Sequence, residues 1–231
     1  MRLILSSRDF GGDASRRVIL RQLSKPLHAC RTLFIPNEKA THARIAGGLY
    51  HARLQKYGFD PALVTVFDET ANADYESLPL DLIYISGGNT FATLDKLRKT
   101  GLDRIIKDRV RRGVIYVGGS AGAHIASMDV SHVLEVDENA VGLSDFRALG
   151  LLNGVLICHY SEARRPWLEH ARLGRYPVYA LTDDDTLVVT EETITKIEGS
   201  AVKYRGPRLY SSSRKIRCPL ETSENRQARQ A

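Results

Sequence analysis

The residues best placed to do chemistry lie in the run GVIYVGGSAGAHIASM (113–128), where Gly118, Gly119, Ala121 and Gly122 frame Ser120. A β-rich stretch enters this GxSxG run and a helix-compatible stretch leaves it. In that setting the small neighbours let the chain fold back sharply and hold a strained, exposed hydroxyl. The hydroxyl would sit at a helix N-terminus, where the dipole and the free N–H of Ala121 favour a developing oxyanion. Two plainer readings stay open: Ser120 simply caps the helix, or the turn binds a phosphate. The sequence has neither a GxGxxG dinucleotide fingerprint nor a Walker Lys-Ser/Thr pair, which counts against nucleotide binding.

A serine hydroxyl is a weak nucleophile at neutral pH and needs a base, most often a histidine held by a carboxylate. Among seven histidines, His159 closes the apolar run VLICHY (155–160) and is the expected base. His28, His42, His51 and His170 fall in helical stretches or at their ends, where a solvated face accounts for them. His124 follows Ser120 by four residues and could shape a pocket from the same helix, and His132 lies in an irregular segment. For the orienting acid, Asp183, Asp184 and Asp185 follow another strand-like run, although three adjacent acids at a turn also make an ordinary solvated loop. Asp137 competes, and spacing does not choose among them. A second glycine turn, LIYISGGNTF (82–91), leads through Gly87 and Gly88 into a helix capped by Asn89 and Thr90. Its backbone N–H groups could supply a further oxyanion donor, or it is merely a tight turn.

Short apolar runs must position these residues: 2–7, 32–37, 63–68, 82–88, 113–119, 155–160, 178–183 and 186–190, with helical spacing of apolar residues in 39–57 and 90–112. Alternating strands and helices imply a doubly wound α/β fold with a mostly parallel sheet and helices on both faces. TLVVT, TITKIEGS and AVKYR follow one another with only turns between, and predict an antiparallel C-terminal edge. In such sheets ligands bind beyond the carboxyl ends of the strands, where Ser120, His159 and the glycine turns all fall.

The chain has 231 residues, 43% of them apolar and 26% charged, the balance of one globular α/β domain. That domain is expected over 1–205, followed by a basic, polar and flexible tail over 206–231. The net charge of +6 resides beyond Val202, where eight basic residues face two acidic ones, and they do not form a basic stripe interleaved with aromatic platforms as nucleic-acid stacking requires. Nucleic acid is therefore not an expected partner. No apolar run approaches a membrane span and the first residues do not read as a signal peptide, so a cytoplasmic protein without membrane attachment is expected. Cys30, Cys158 and Cys218 have no disulfide or zinc spacing. Neither metal nor cofactor is expected.

With these residues assembled, the sequence resembles the serine peptidase family that contains peptidase E, the aspartyl dipeptidase, and cyanophycinase. The likeness covers roughly residues 1–202 and rests on GGNT at 87–90, GxSxGA at 118–123, His159 after a strand, and DDDTLVV at 183–189. It implies a fold like that of class I glutamine amidotransferases, with Ser120 in place of their cysteine. It further implies Ser120 as nucleophile, His159 as base, and Gly88 and Ala121 as oxyanion donors. The acid it points to is Asp184, where relatives commonly carry the longer Glu, with Asp137 as the alternative.

The implied activity is hydrolysis of small peptides through an acyl-enzyme, with dipeptides bearing N-terminal Asp as candidate substrates. Reading an aspartate side chain calls for a guanidinium. Arg164, Arg165, Arg172 and Arg175 follow His159, although an exposed basic helix face would look the same. Arg164, Arg165 and Arg172, with Asn89, form the expected substrate-binding set. A cyanophycinase-like hydrolase of β-linked Asp-Arg peptides and a non-catalytic amidotransferase-like binding module remain alternatives. A homodimer is one assembly left open.

Overall fold

The computed structural model describes residues 1–71 and 73–198 together with the backbone of Ala201–Pro207. Five strands run parallel: β1 (Arg2–Ser6), β2 (Thr32–Ile35), β3 (Val64–Val66), β4 (Leu82–Ile85) and β5 (Ile115–Gly119), in the spatial order β1-β5-β4-β2-β3. They are apolar on both faces because helices cover both. Leu3, Leu5, Leu33, Ile35, Ile83, Ile85 and Tyr116 share one core with α4 (Thr90–Lys99), α5 (Leu102–Arg111) and α6 (Ala121–Ile125). Ile4, Phe34, Leu82, Tyr84 and Val117 share the other with α1 (Asp13–Gln22) and α3 (Leu49–Tyr57). This one-residue alternation is the strand period written twice, once for each core.

The helical stretch expected over 39–57 is two helices, α2 (His42–Ala46) and α3, broken at Gly47 and Gly48. That over 90–112 is likewise split into α4 and α5 at Thr100 and Gly101.

Strands β6 (Val155–Ile157) and β7 (Val178–Ala180), which read as members of the same sheet, instead pair in parallel with each other alone. The open side of β1 is already taken by β8 (Asp185–Val189), which runs antiparallel to it. The small second sheet is closed by α7 (Arg165–Arg172), whose Trp167, Leu168 and Ala171 pack on Val155, Ile157, Val178 and Ala180. Beyond β8, β9 (Thr193–Glu198) and β10 (Ala201–Pro207) complete an antiparallel edge. The boundary expected after residue 205 thus falls inside β10, and the tail from residue 208 lies outside the described residues. Among the described residues no helix is long and apolar enough to cross a membrane.

Candidate active site

The carboxyl ends of β1, β5, β4 and β2 meet along one edge of the sheet, and the turn after β5 brings Ser120 to its centre. Ser120 takes φ 48 and ψ −109, a conformation that costs a non-glycine residue on the order of 1–3 kcal/mol. Its N–H donates to the carbonyl of Ser6 at 2.9 Å, while its side chain makes no cap bond to α6. The turn closes against β4 only because its glycines lack side chains. A Cβ on Gly122 would strike the carbonyl of Ile85, and one on Gly118 would strike that of Gly122. The Tyr116 hydroxyl donates to the same Gly122 carbonyl at 2.6 Å. Asp9, buried and also at positive φ (45), packs its carboxyl against Gly119 from the β1 side.

His159 stands just beyond β6 at φ 55, and its Nε2 lies 3.2 Å from Ser120 Oγ. Its Nδ1 lies 2.6 Å from Asp183 Oδ1. An Nδ1 facing a carboxylate carries the ring proton, which leaves the Nε2 lone pair toward the serine hydroxyl. The acid at this position is therefore Asp183, not Asp184 or Asp137, and the reason lies in how the three adjacent aspartates are sorted. Asp185 opens β8 and is buried. Its Oδ2 accepts from the Thr182 N–H at 2.8 Å and the Thr182 hydroxyl at 2.9 Å, and pairs with Lys196 Nζ at 2.9 Å. With Asp185 pinned inward, the turn sends Asp183 toward His159 and leaves Asp184 exposed to solvent. Asp137 serves elsewhere, its Oδ2 accepting from the Thr90 N–H at 2.8 Å at the start of α4.

The glycine turn after β4 lies directly against Ser120. A Cβ on Gly87 would come 3.3 Å from Ser120 Cβ and 3.9 Å from its Oγ. Gly88 takes φ 148, a value left to glycine, and its N–H and that of Ala121 find no acceptor among the described residues. Asn89 is spent on structure: its Oδ1 accepts from the Ala92 N–H at 2.9 Å, capping α4, and its Nδ2 donates to the Glu138 carbonyl at 2.8 Å. Beside it, Glu38 Oε2 accepts from the Asn89 N–H at 2.8 Å.

Three residues that the sequence reading passed over or left vague position the constellation. Buried Ser7 accepts from the His159 N–H at 2.9 Å and donates to the Leu181 carbonyl at 3.1 Å, tying the imidazole and the Asp183 turn to β1. Its only sequence signal is a polar pair, Ser6 and Ser7, ending an apolar run. His124 is buried rather than pocket-lining. The Cys158 N–H donates to its Nε2 at 3.4 Å, so Nδ1 bears the proton and donates to Thr90 Oγ1 at 3.2 Å. Burial pushes its pKa far below the ordinary 6.5 and keeps it neutral. Cys158 itself is held as a neutral thiol, because burial pushes its pKa up to about 12.

The four expected arginines separate. Arg164 Nη1 donates to the Cys158 carbonyl at 3.0 Å, and its guanidinium lies over Trp167 at 5.6 Å. Arg165 and Arg172 stand on the exposed side of α7, paired with Glu162 at 3.6 Å and Glu169 at 3.5 Å, and Arg175 stacks on Tyr176. An arginine outside the expected set, Arg8, places Nη1 3.9 Å from Asp183 Oδ2 on the rim of the crevice.

The chain's relatives are peptidases. An uncharacterized peptidase of Listeria monocytogenes serovar 1/2a, Lmo0363, is 32% identical over 125 residues, which are 50% of this chain and 60% of that protein. Peptidase E of Shewanella amazonensis is 33% identical over 130 residues, 56% of this chain and 52% of its own. The chain thus spans 60% or less of the length of these curated relatives. A crystal structure from L. monocytogenes EGD-e, provisionally assigned to peptidase E, superposes with a TM-score of 0.69 at 23% identity, covering 85% of this chain and 98% of that one. A peptidase from an acI-B1 actinobacterium superposes with a TM-score of 0.57 at 18% identity, covering 92% and 96%. At these identities the two structures speak for the fold. The profile of peptidase family S51 matches residues 3–197, a span that holds Ser120, His159 and Asp183, and the chain belongs to that family.

Proposed function

We propose that this chain is a serine peptidase of the peptidase E type, cleaving small peptides through an acyl-enzyme on Ser120. The observation that carries the proposal is the relay from Ser120 Oγ to His159 Nε2 (3.2 Å) and from His159 Nδ1 to Asp183 (2.6 Å). His159 takes the hydroxyl proton as Oγ attacks the scissile carbonyl carbon, and Asp183 stabilises the imidazolium that forms. The carbonyl electron pair moves onto oxygen, held by the N–H groups of Gly88 and Ala121. The tetrahedral intermediate then expels the amine, which leaves with the proton from His159. Water, deprotonated by the same imidazole, releases the acid and restores Ser120.

An acidic first residue is supported by Arg164, the one expected arginine that lies against the strand end carrying His159. Two measurements test the reading. A fluorophosphonate should label Ser120 stoichiometrically, and Ser120→Ala should lose the adduct and roughly 10⁶-fold in kcat with an unchanged fold. A panel of Asp-Leu, Glu-Leu, Asn-Leu, Leu-Leu and β-Asp-Arg should favour Asp-Leu. Equal rates across it would sink the aspartate preference and spare the hydrolase, whereas an unlabelled Ser120 would sink the hydrolase.

A further inference from the structure

Charge is laid out unevenly along the crevice. At the His159 end of the crevice stand two cations, Arg8 beside Asp183 and Arg164 on the Cys158 carbonyl. On the other side come the Gly87–Gly88 turn of β4 and then Glu38, which follows β2, the next strand over. Glu38 is half-buried. Its Oε2 holds the Asn89 N–H at 2.8 Å and presses on Gly88 so closely that a Cβ there would strike it. Among the described residues no Lys, Arg or His pairs with it, and only one of its two oxygens is engaged. A bare carboxylate one residue from a proposed oxyanion donor is electrostatically adverse, because it opposes the negative charge that forms there. The penalty disappears if the substrate itself brings a cation to that spot.

Resting on the peptidase reading above, we infer that Glu38 binds the α-ammonium of the residue that becomes the acyl group, so that the site selects free amino termini. The direction follows from the chemistry. The leaving nitrogen must face His159, which protonates it, so the leaving residue extends toward His159 and the neighbouring Arg8. The acyl residue directs its ammonium the other way, past Gly88 toward Glu38, and its side chain toward Arg164. Its ammonium is two bonds from the scissile carbonyl carbon, so a carboxylate just behind the oxyanion turn is within reach of it. A free dipeptide, positive at one end and negative at the other, matches this polarity. Glu38 adds a binding contact and takes no part in proton transfer.

The test is binding, which needs no turnover. Titration calorimetry on the full chain carrying Ser120→Ala compares Asp-Leu with N-succinyl-leucine, the same molecule without its amine. The parent should bind Asp-Leu about 10- to 100-fold more tightly, the range of a hydrogen bond to a charged group. Adding Glu38→Gln, which keeps an acceptor for the Asn89 N–H, should bring the two ligands to within about threefold. Equal affinities in the parent, discrimination that survives Glu38→Gln, or no binding of Asp-Leu overturns the assignment. Phosphonate labelling of the unaltered chain reports separately on hydrolysis. Labelled Ser120 without Glu38-dependent discrimination removes only the ammonium site, and discrimination without labelling removes only the peptidase.

Discussion

Two strand-turn-helix junctions lie side by side in this molecule, β4 into α4 and β5 into α6, and each turns on a Gly-Gly pair followed by a polar residue. At the first, Asn89 sits at φ −79 and caps α4 in the ordinary way through the Ala92 N–H. At the second, Ser120 sits at φ 48, makes no cap bond, and turns its hydroxyl to His159 instead. What differs is the packing behind the turn. Gly122 beds against the carbonyl of Ile85, in β4 itself, so the second helix can begin only if Ser120 is bent into a strained conformation. The first junction keeps its cap and leaves the Gly88 N–H free; the second gives up its cap and frees a hydroxyl. The two halves of the proposed acyl-transfer site thus come from one local pattern used twice.

Among substitutions that keep the Ser120 hydroxyl, the largest expected effect comes from the carboxylate that faces His159. Asp183→Asn should lower kcat roughly 10⁴-fold, about 5 kcal/mol of transition-state stabilisation, by favouring the wrong imidazole tautomer. Asp184→Asn should change kcat less than about twofold, and steady-state kinetics on Asp-Leu separates the two. Next is Gly122→Ala, which forces the junctions apart and should cost roughly 1–3 kcal/mol of stability in urea melts as well as activity. An unperturbed variant would mean that the junctions are not braced against each other.

A smaller effect concerns His124, which bridges the junctions by donating from α6 to Thr90 at the head of α4. Its folded pKa lies well below the ordinary 6.5, and that of His132 is lowered as well, in both cases by burial. The unfolded chain therefore takes up these protons first. The stability they contribute is full above about pH 6.5 and is lost as pH falls below it, by roughly 1.4 kcal/mol per pH unit for each proton. The Asp9 carboxyl, pushed up by burial, works in the opposite sense as it protonates. Urea midpoints between pH 8 and pH 5 should fall more gently in His124→Asn than in the unaltered chain. The smallest effects should have opposite signs: Asn89→Ala should cost about 1 kcal/mol as a lost cap, while Ser120→Gly should gain about 1 kcal/mol as strain is released. Calorimetric melting temperatures check both.

Much of this was legible in the sequence where the signal is local. The buried strands, the GxSxG turn and His159 at a strand end follow from patterns a few residues long. The partner of His159 does not. Which of three adjacent aspartates faces the imidazole is decided by Lys196, in the following strand β9, which pulls Asp185 inward and so turns Asp183 outward. Ser7 escaped notice for the same reason, since its partners lie 152 and 174 residues away. Arg165 and Arg172 show the converse failure, a local cluster whose direction is set by the face α7 buries on the second sheet.

The mooring of the site on Ser6 and Ser7 also bears on when the protein can act. Ser120 hangs from the carbonyl of Ser6, and Ser7 holds both the backbone of His159 and the turn that carries Asp183. A chain emerging from the ribosome therefore displays its serine well before its imidazole has a seat. The relay can assemble only after β8 has docked on β1, an encounter between distant segments that is slow to form. In refolding from urea, helical signal should return first and any turnover last, so a half-made copy of this chain would be inert among its neighbours.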